Sequence, residues 1–237
     1  MKMLKKLWNY FSGTEKLLWS GSVLLIVLSF ICFDSSDYMT LTASLVGVTS
    51  LIFCAKGNPV GQVLMILFSM LYGVISYQCA YYGEMITYLG MTGPMAVLAL
   101  IAWLRNPFGK GHSQVAISSV SKKELLWMIL LSIPVTVGFY FLLDHFHTAH
   151  LLLSTLSVFT SFVAVYLTFR RSPLFALAYA ANDLVLIALW VLAAREEQEY
   201  LAVVVCFAAF LANDIYGYLS WRRMYAHQRE LLRNKVP

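Results

Sequence analysis

Apolar residues in this chain come in long unbroken runs rather than in alternation. The runs lie at approximately 17 to 33, 40 to 55, 60 to 82, 84 to 104, 124 to 143, 151 to 169, 173 to 194 and 200 to 221. A helix needs about 20 apolar residues to cross roughly 30 Å of hydrocarbon, so the pattern predicts eight transmembrane helices. The second run is short for a span, and the third and fourth are parted only by a turn around Gly83. Lipid offers backbone polar groups no partner and the runs lack the dyad pattern of a barrel strand, which leaves helices.

Composition agrees: 60% hydrophobic and 12% charged residues exclude a water-soluble globule, in which about 25% are charged. The first run reads as an uncleaved span, because Asp34 and Ser35 follow it without a small-residue cleavage site. With both termini in the cytoplasm, sixteen of the seventeen Lys and Arg fall on the inner side and only Arg195 lies outside. The outer loops carry Asp34, Asp37, Asp144, Glu196, Glu197 and Glu199. The net charge of +5 is thereby explained by topology, with no need for a nucleic-acid partner. Residues 2 to 16 set Lys2, Lys5 and Lys6 beside Leu4, Leu7, Trp8 and Phe11, as in an interfacial helix on a lipid surface. Cys32, Cys54, Cys79 and Cys206 have no paired spacing and read as buried hydrophobes.

An internal echo divides the spans. FCAKGNP closes the second and TFRRSP the sixth, with Pro59 and Pro173 standing 114 residues apart. Each Pro precedes two spans, the second ending in a Trp beside an Arg, Trp103 with Arg105 and Trp221 with Arg222. The expected fold is therefore an all-α polytopic membrane protein with two parallel three-helix repeats joined by a single helix, after one extra N-terminal transmembrane helix. The expected divisions are 1–38, 39–108, 109–150, 151–224 and 225–237, the last a basic tail beside anionic headgroups.

The candidate chemistry lies inside the spans. ANDLVLIALW (181–190) and ANDIYGYLSW (212–221) place Asn182, Asp183, Asn213 and Asp214 in the hydrocarbon with no cationic side chain at their depth. A mid-membrane Asp costs about 2.5 to 3.5 kcal/mol on insertion scales, so these residues should face protein or a wet cavity. Hydrogen bonding between the two pairs as helix glue and the lining of a substrate cavity are both open and compatible. Asn213, Gly217 and Trp221 share one stripe, with Tyr216 beside it. Trp8, Trp19, Trp103, Trp127 and Trp221 fall at inner span ends, which predicts an aromatic belt; Trp190 is the exception. The first repeat holds Gln62, Ser69, Tyr72, Ser76, Tyr77, Gln78, Glu84, Thr87, Tyr88 and Thr92, with Gly93 and Pro94 able to break their helix. His145, His147 and His150 lack a metal-site spacing, and no HExxH, GxSxG or P-loop pattern occurs, so no metal, cofactor or enzymatic activity is expected.

YYGEMITYLGMTGPM (81–95), TFRRSP (168–173) and LANDIYGYLSWRRM (211–224) together resemble the PnuC family of nicotinamide riboside transporters, over roughly 40 to 225. The resemblance implies a three-one-three core like that of the SWEET sugar carriers, and facilitated diffusion of a vitamin-like nucleoside across the inner membrane. It also implies trapping by cytoplasmic phosphorylation and a ligand held midway between the bundles. Carried over residue by residue, the expected substrate site is Asn182 and Asn213, with Trp190, Tyr216, Gln62, Tyr88, Tyr72 and Gly217 around them. Asp183 and Asp214 follow the motif Asn residues and suit a cationic aromatic ligand. Carriers of thiamine, riboflavin or deoxyribonucleosides share the fold, and an intramembrane enzyme or a scaffold is the remaining alternative.

Overall fold

The computed structural model describes residues 10–33, 35–79, 81–109 and 113–234. Most of the amphipathic stretch 2 to 16, together with Asp34, Lys110 and Lys235, lies outside them. Among the described residues eight helices are long and apolar enough to cross a membrane. They are α1 (Gly13–Phe33), α2 (Tyr38–Ala55), α3 (Val60–Gln78), α4 (Tyr82–Arg105), α5 (Lys122–His145), α6 (Leu151–Phe169), α7 (Leu174–Ala193) and α8 (Leu201–Arg233).

Two borders differ from the sequence pattern. The turn between α3 and α4 precedes Gly83, which instead sits in the first turn of α4. A Cβ there would lie 2.8 Å from Thr148 Cγ2 and 3.2 Å from Leu143 Cδ2, so Gly83 lets the α5–α6 corner close onto α4. At the other end α8 continues through Arg233, because nothing between 222 and 233 breaks a helix. The expected separate tail is thus an extension of the last span. Inside α4 the turn Tyr88–Thr92 is π-helical, and the Gly93 N–H bonds back to the Tyr88 carbonyl just before Pro94, which has no N–H to offer.

The six helices α2–α4 and α6–α8 close a ring. Within it α3 lies between α2 and α4, and α7 between α6 and α8. The two sets meet at two seams, α2 on α8 and α4 on α6. The remaining helices cover those seams from outside. Packed on both α2 and α8, α1 covers the first; α5 lies along α6 and reaches the start of α4 through Leu143. This scheme exchanges into itself when the halves are swapped.

Side chains at the basic end repeat in the same way. Gly57 and Arg171, 114 residues apart, both adopt positive φ in the turns that follow α2 and α6. The linker after α4 ties itself to each, with Val115 N–H donating to the Gly57 carbonyl and Ser118 N–H to that of Arg171. Lys56 pairs with Glu15 at 3.0 Å, and its counterpart Arg170 pairs with Glu124. Glu15 and Glu124 each stand three residues after a Ser whose hydroxyl accepts the glutamate's N–H, a capping arrangement at the start of α1 and of α5. The extra helix and the joining helix are therefore docked alike, and the scaffold reads equally as two units of four.

The aromatic belt expected at this end needs correction for two of its members. Trp103 and Trp221 are 1% and 0% exposed and face each other with ring centroids 5.3 Å apart. Trp103 Nε1 donates to the Thr168 carbonyl at 3.0 Å, and Trp221 Nε1 to that of Cys54 at 2.7 Å. Each indole bonds to the opposite half, so together they close the ring instead of facing headgroups. Among the described Trp residues Trp127 is the one largely exposed, at 70%, and Trp8 lies outside the described residues.

Candidate functional site

Outward of these indoles the ring is filled by an aromatic cluster. Phe68 and Tyr72, one turn apart on α3, present a single face, and Phe207 and Phe210 do the same on α8. Phe210 enters because Gly47 of α2 has no side chain; a Cβ there would stand 2.2 Å from the Phe210 ring. Tyr88, carried on the π-helical turn, meets Tyr72 edge-on at 4.4 Å. From α7 comes Trp190, fully buried, whose Nε1 donates to the Tyr72 hydroxyl at 2.7 Å. Tyr81 and Tyr200 cap Trp190 on its outer side. A cavity of about 10 Å³ beside Ser44, Tyr72, Cys206 and Phe207 has room for about one water. A nucleoside would require the cluster to part, and its faces suit a flat ring.

A polar layer lies against this cluster. Asn182 and Asp183 are adjacent on α7 and so point to different neighbours. Asn182 Oδ1 accepts from Thr160 Oγ1 at 2.7 Å and Ser161 Oγ at 3.0 Å, both on α6. Asp183 meets Asp214 of α8, carboxyl to carboxyl. Two ionised carboxylates only accept hydrogen bonds and repel each other, so this closeness favours one proton shared between them. The halved charge lowers the cost of burying the pair, which is 4% exposed at each residue.

Four of the expected site residues serve other contacts. Asn213 Nδ2 donates to Ser22 Oγ of α1 at 2.9 Å and to the Ala209 carbonyl, so its amide bonds to the extra helix. Tyr216 is half-buried and its hydroxyl donates to Glu15, also on α1. Gly217 admits Ala176 of α7 and Ala55 of α2, a helix-packing role. Gln62 lies near the basic end of α3 and donates to Cys54 Sγ at 3.3 Å, with Cys54 within electrostatic reach of Asp214. The glue reading of the two motifs is met by the Asp residues alone, since each Asn bonds to a different helix.

One residue was singled out too weakly by its sequence. Glu84 is 1% exposed, and its Oε1 accepts from Ser157 Oγ at 2.7 Å across the α4–α6 seam. Its Oε2 is buried without a hydrogen-bond partner, as are the hydroxyls of Ser76, Thr87 and Thr92. Among the described residues no Lys or Arg is buried. The available signal was an ionisable residue in an apolar run, lost because it is the first residue of that run, 84 to 104.

With this geometry in view, residues 37–223 match the family model described as nicotinamide mononucleotide transporter. The nicotinamide riboside transporter PnuC of Neisseria mucosa is 23% identical over 223 residues, which make up 92% of this chain and 82% of that protein. A crystal structure of the vitamin B3 transporter PnuC shares the fold, with a TM-score of 0.81 at 21% identity over 92% of this chain and 94% of that one.

Proposed function

Because the chain belongs to the nicotinamide mononucleotide transporter family, and is thus a multi-pass membrane transporter, we propose that its substrate is the riboside and not the mononucleotide. The observation that carries this reading is the charge of the interior. Glu84, Asp183 and Asp214 are buried around an aromatic cluster while no described Lys or Arg is. A phosphate would need cationic or bidentate donors. A pyridinium riboside needs aromatic faces and carboxyl groups. The relative of similar sequence is likewise described as a transporter of the riboside.

In this reading Tyr72, Tyr88 and Trp190 part to flank the ring, with Asn182, Asp183 and Asp214 on its inner side. Asn213, Tyr216, Gly217 and Gln62 brace the surrounding helices. The basic end faces the cytoplasm, both termini with it, in the inner membrane. The bundles of 39–108 and 151–224 move about the two seams and expose the site to either side in turn. Transport in this reading is uniport, with intracellular phosphorylation trapping the product, and the sequence has no motif of an ATP-driven pump. Thiamine is also cationic and aromatic, and riboflavin and deoxyribonucleosides are neutral comparators. The test is a binding titration of the purified protein with each of these ligands and with the mononucleotide. Saturable binding of the riboside well above the others is expected. Binding of the mononucleotide as tight as that of the riboside would remove the charge argument.

A further inference from the structure

Resting on that substrate reading, the structure assigns to Glu84 the recognition of the ligand's positive charge: we propose that its free carboxylate oxygen is the counter-charge for a cationic aromatic ring held by Tyr72 and Tyr88. Three acids are buried near the cluster, and they are not equivalent. Asp183 and Asp214 face each other across the α7–α8 contact, so each has another acid as its neighbour, and Asp183 Oδ2 is likewise without a hydrogen-bond partner. Glu84 has one oxygen on Ser157 and the other on nothing. It lies within electrostatic reach of Tyr72, Tyr81 and Tyr88, three rings of the cluster. Asp183 also acts on Tyr88, which makes it the rival for the same role.

The chemistry of the ligand gives the placement a purpose. A protonated amine can shed its charge on entering a membrane, but a pyridinium cannot. It therefore needs an opposite charge at the depth where it stops, and a carboxylate left unpaired there is itself costly. Each removes the other's cost on binding. Glu84 stands on the outer side of the cluster, one turn from Tyr88 along α4, so it is the carboxyl that a solute entering from the end opposite the basic turns meets first. Thr87, with a buried and unpartnered hydroxyl on the same helix, offers a donor or acceptor beside it.

The discriminating pair of probes is nicotinamide riboside and its 1,4-dihydro form, which keeps ribose and carboxamide but loses the charge. Binding to purified wild-type protein is expected to favour the cation by about 10-fold or more. In Glu84→Gln this ratio should fall towards one, through loss of the cation and with affinity for the neutral form held within about threefold. Asp183→Asn, at a residue on the inner side of the ring, should lower the ratio less than Glu84→Gln does, and Glu124→Gln, which removes a carboxyl outside the site, should keep the wild-type ratio. Should Glu84→Gln fail to fold, Glu84→Asp must keep the preference for the cation, since it keeps the charge. A wild-type ratio near one, an unchanged ratio in Glu84→Gln, a ratio that falls further in Asp183→Asn than in Glu84→Gln, or one that collapses in Glu84→Asp or Glu124→Gln would each overturn the assignment. Wild-type protein that binds neither probe would instead overturn the substrate reading, and this inference with it.

Discussion

At the basic end Trp103 crosses to the Thr168 carbonyl and Trp221 to that of Cys54, whereas deeper in the membrane the halves part company. Where α7 carries Asn182, Asp183 and Trp190, the positions 114 residues earlier on α3 are Phe68, Ser69 and Ser76. Where α3 carries Tyr72, α7 has Leu186. A scaffold that opens alternately to two sides needs two seams of similar strength, and a two-fold arrangement supplies them. The proposed substrate, a nucleoside, has no two-fold axis. Residues that read it are free to differ between the halves, and the Tyr72–Trp190 hydrogen bond joins one such residue from each.

The comparison breaks most visibly if the paired tryptophans prove unequal. Each is buried, bonded to the opposite half and tilted against the other, so Trp103→Ala and Trp221→Ala should each destabilise the protein by about 3 to 5 kcal/mol. Thermal unfolding of the detergent-solubilised variants measures this. Losses that differ by more than about 1.5 kcal/mol would mean that the seams are not equivalent.

Inside the membrane the opposite result is expected. Asp183→Ala leaves Asp214 buried without its partner and should cost about 1 to 3 kcal/mol. Its counterpart Ser69→Ala removes a hydroxyl that bonds only to the Met65 carbonyl of its own helix, and should change stability by about 0.5 kcal/mol or less. The double variant Asp183→Ala/Asp214→Ala should cost less than the sum of the two single changes, because the second substitution removes the orphan left by the first. Additive losses would show that the carboxyls do not act as a pair.

These contrasts track what the sequence made legible. Eight apolar runs yielded eight helices because hydrocarbon thickness sets their length, and Pro59 and Pro173 marked the repeat because a residue without an N–H suits a first turn. Tyr72 and Tyr88 stood in the buried polar set of the first repeat, Trp190 joined them through the family resemblance, and the fold brings the three together. The partners of Asn213 and Tyr216 were illegible for a definite reason: they lie on α1, about 190 to 200 residues away, and a periodic pattern gives a face without naming the helix opposite it. The same limit hid the burial of Trp103 and Trp221. A Trp at a span end reads as a belt residue unless the cross-seam carbonyl is known. Glu15 and Glu124 each follow a Ser by three residues, a signature visible in the chain, but their shared docking emerges only when Lys56 and Arg170 are placed.

Those two ion pairs give the smallest expected effect and the finest test of the symmetry. Both join a seam-covering helix to the turn it rests on, yet their surroundings differ. The Glu15 side chain is 5% exposed and Lys56 21%, against 23% for Glu124 and 34% for Arg170. Lys56 also stands 4.7 Å from the Tyr10 ring, and Glu15 accepts from Tyr216 besides. Screening by salt acts on exposed pairs and much less on buried ones. Glu124→Gln should therefore cost at most about 1 kcal/mol in dilute buffer, shrinking towards zero in high salt. Glu15→Gln should cost somewhat more, about 1 to 2 kcal/mol, because the more enclosed Lys56 loses its partner, and salt should leave that loss nearly unchanged. The measurement is unfolding of both variants at low and high ionic strength. Equal costs with equal salt dependence would show that the docking of α1 is no tighter than that of α5, and the N-terminal helix would then be a plain copy of the joining helix.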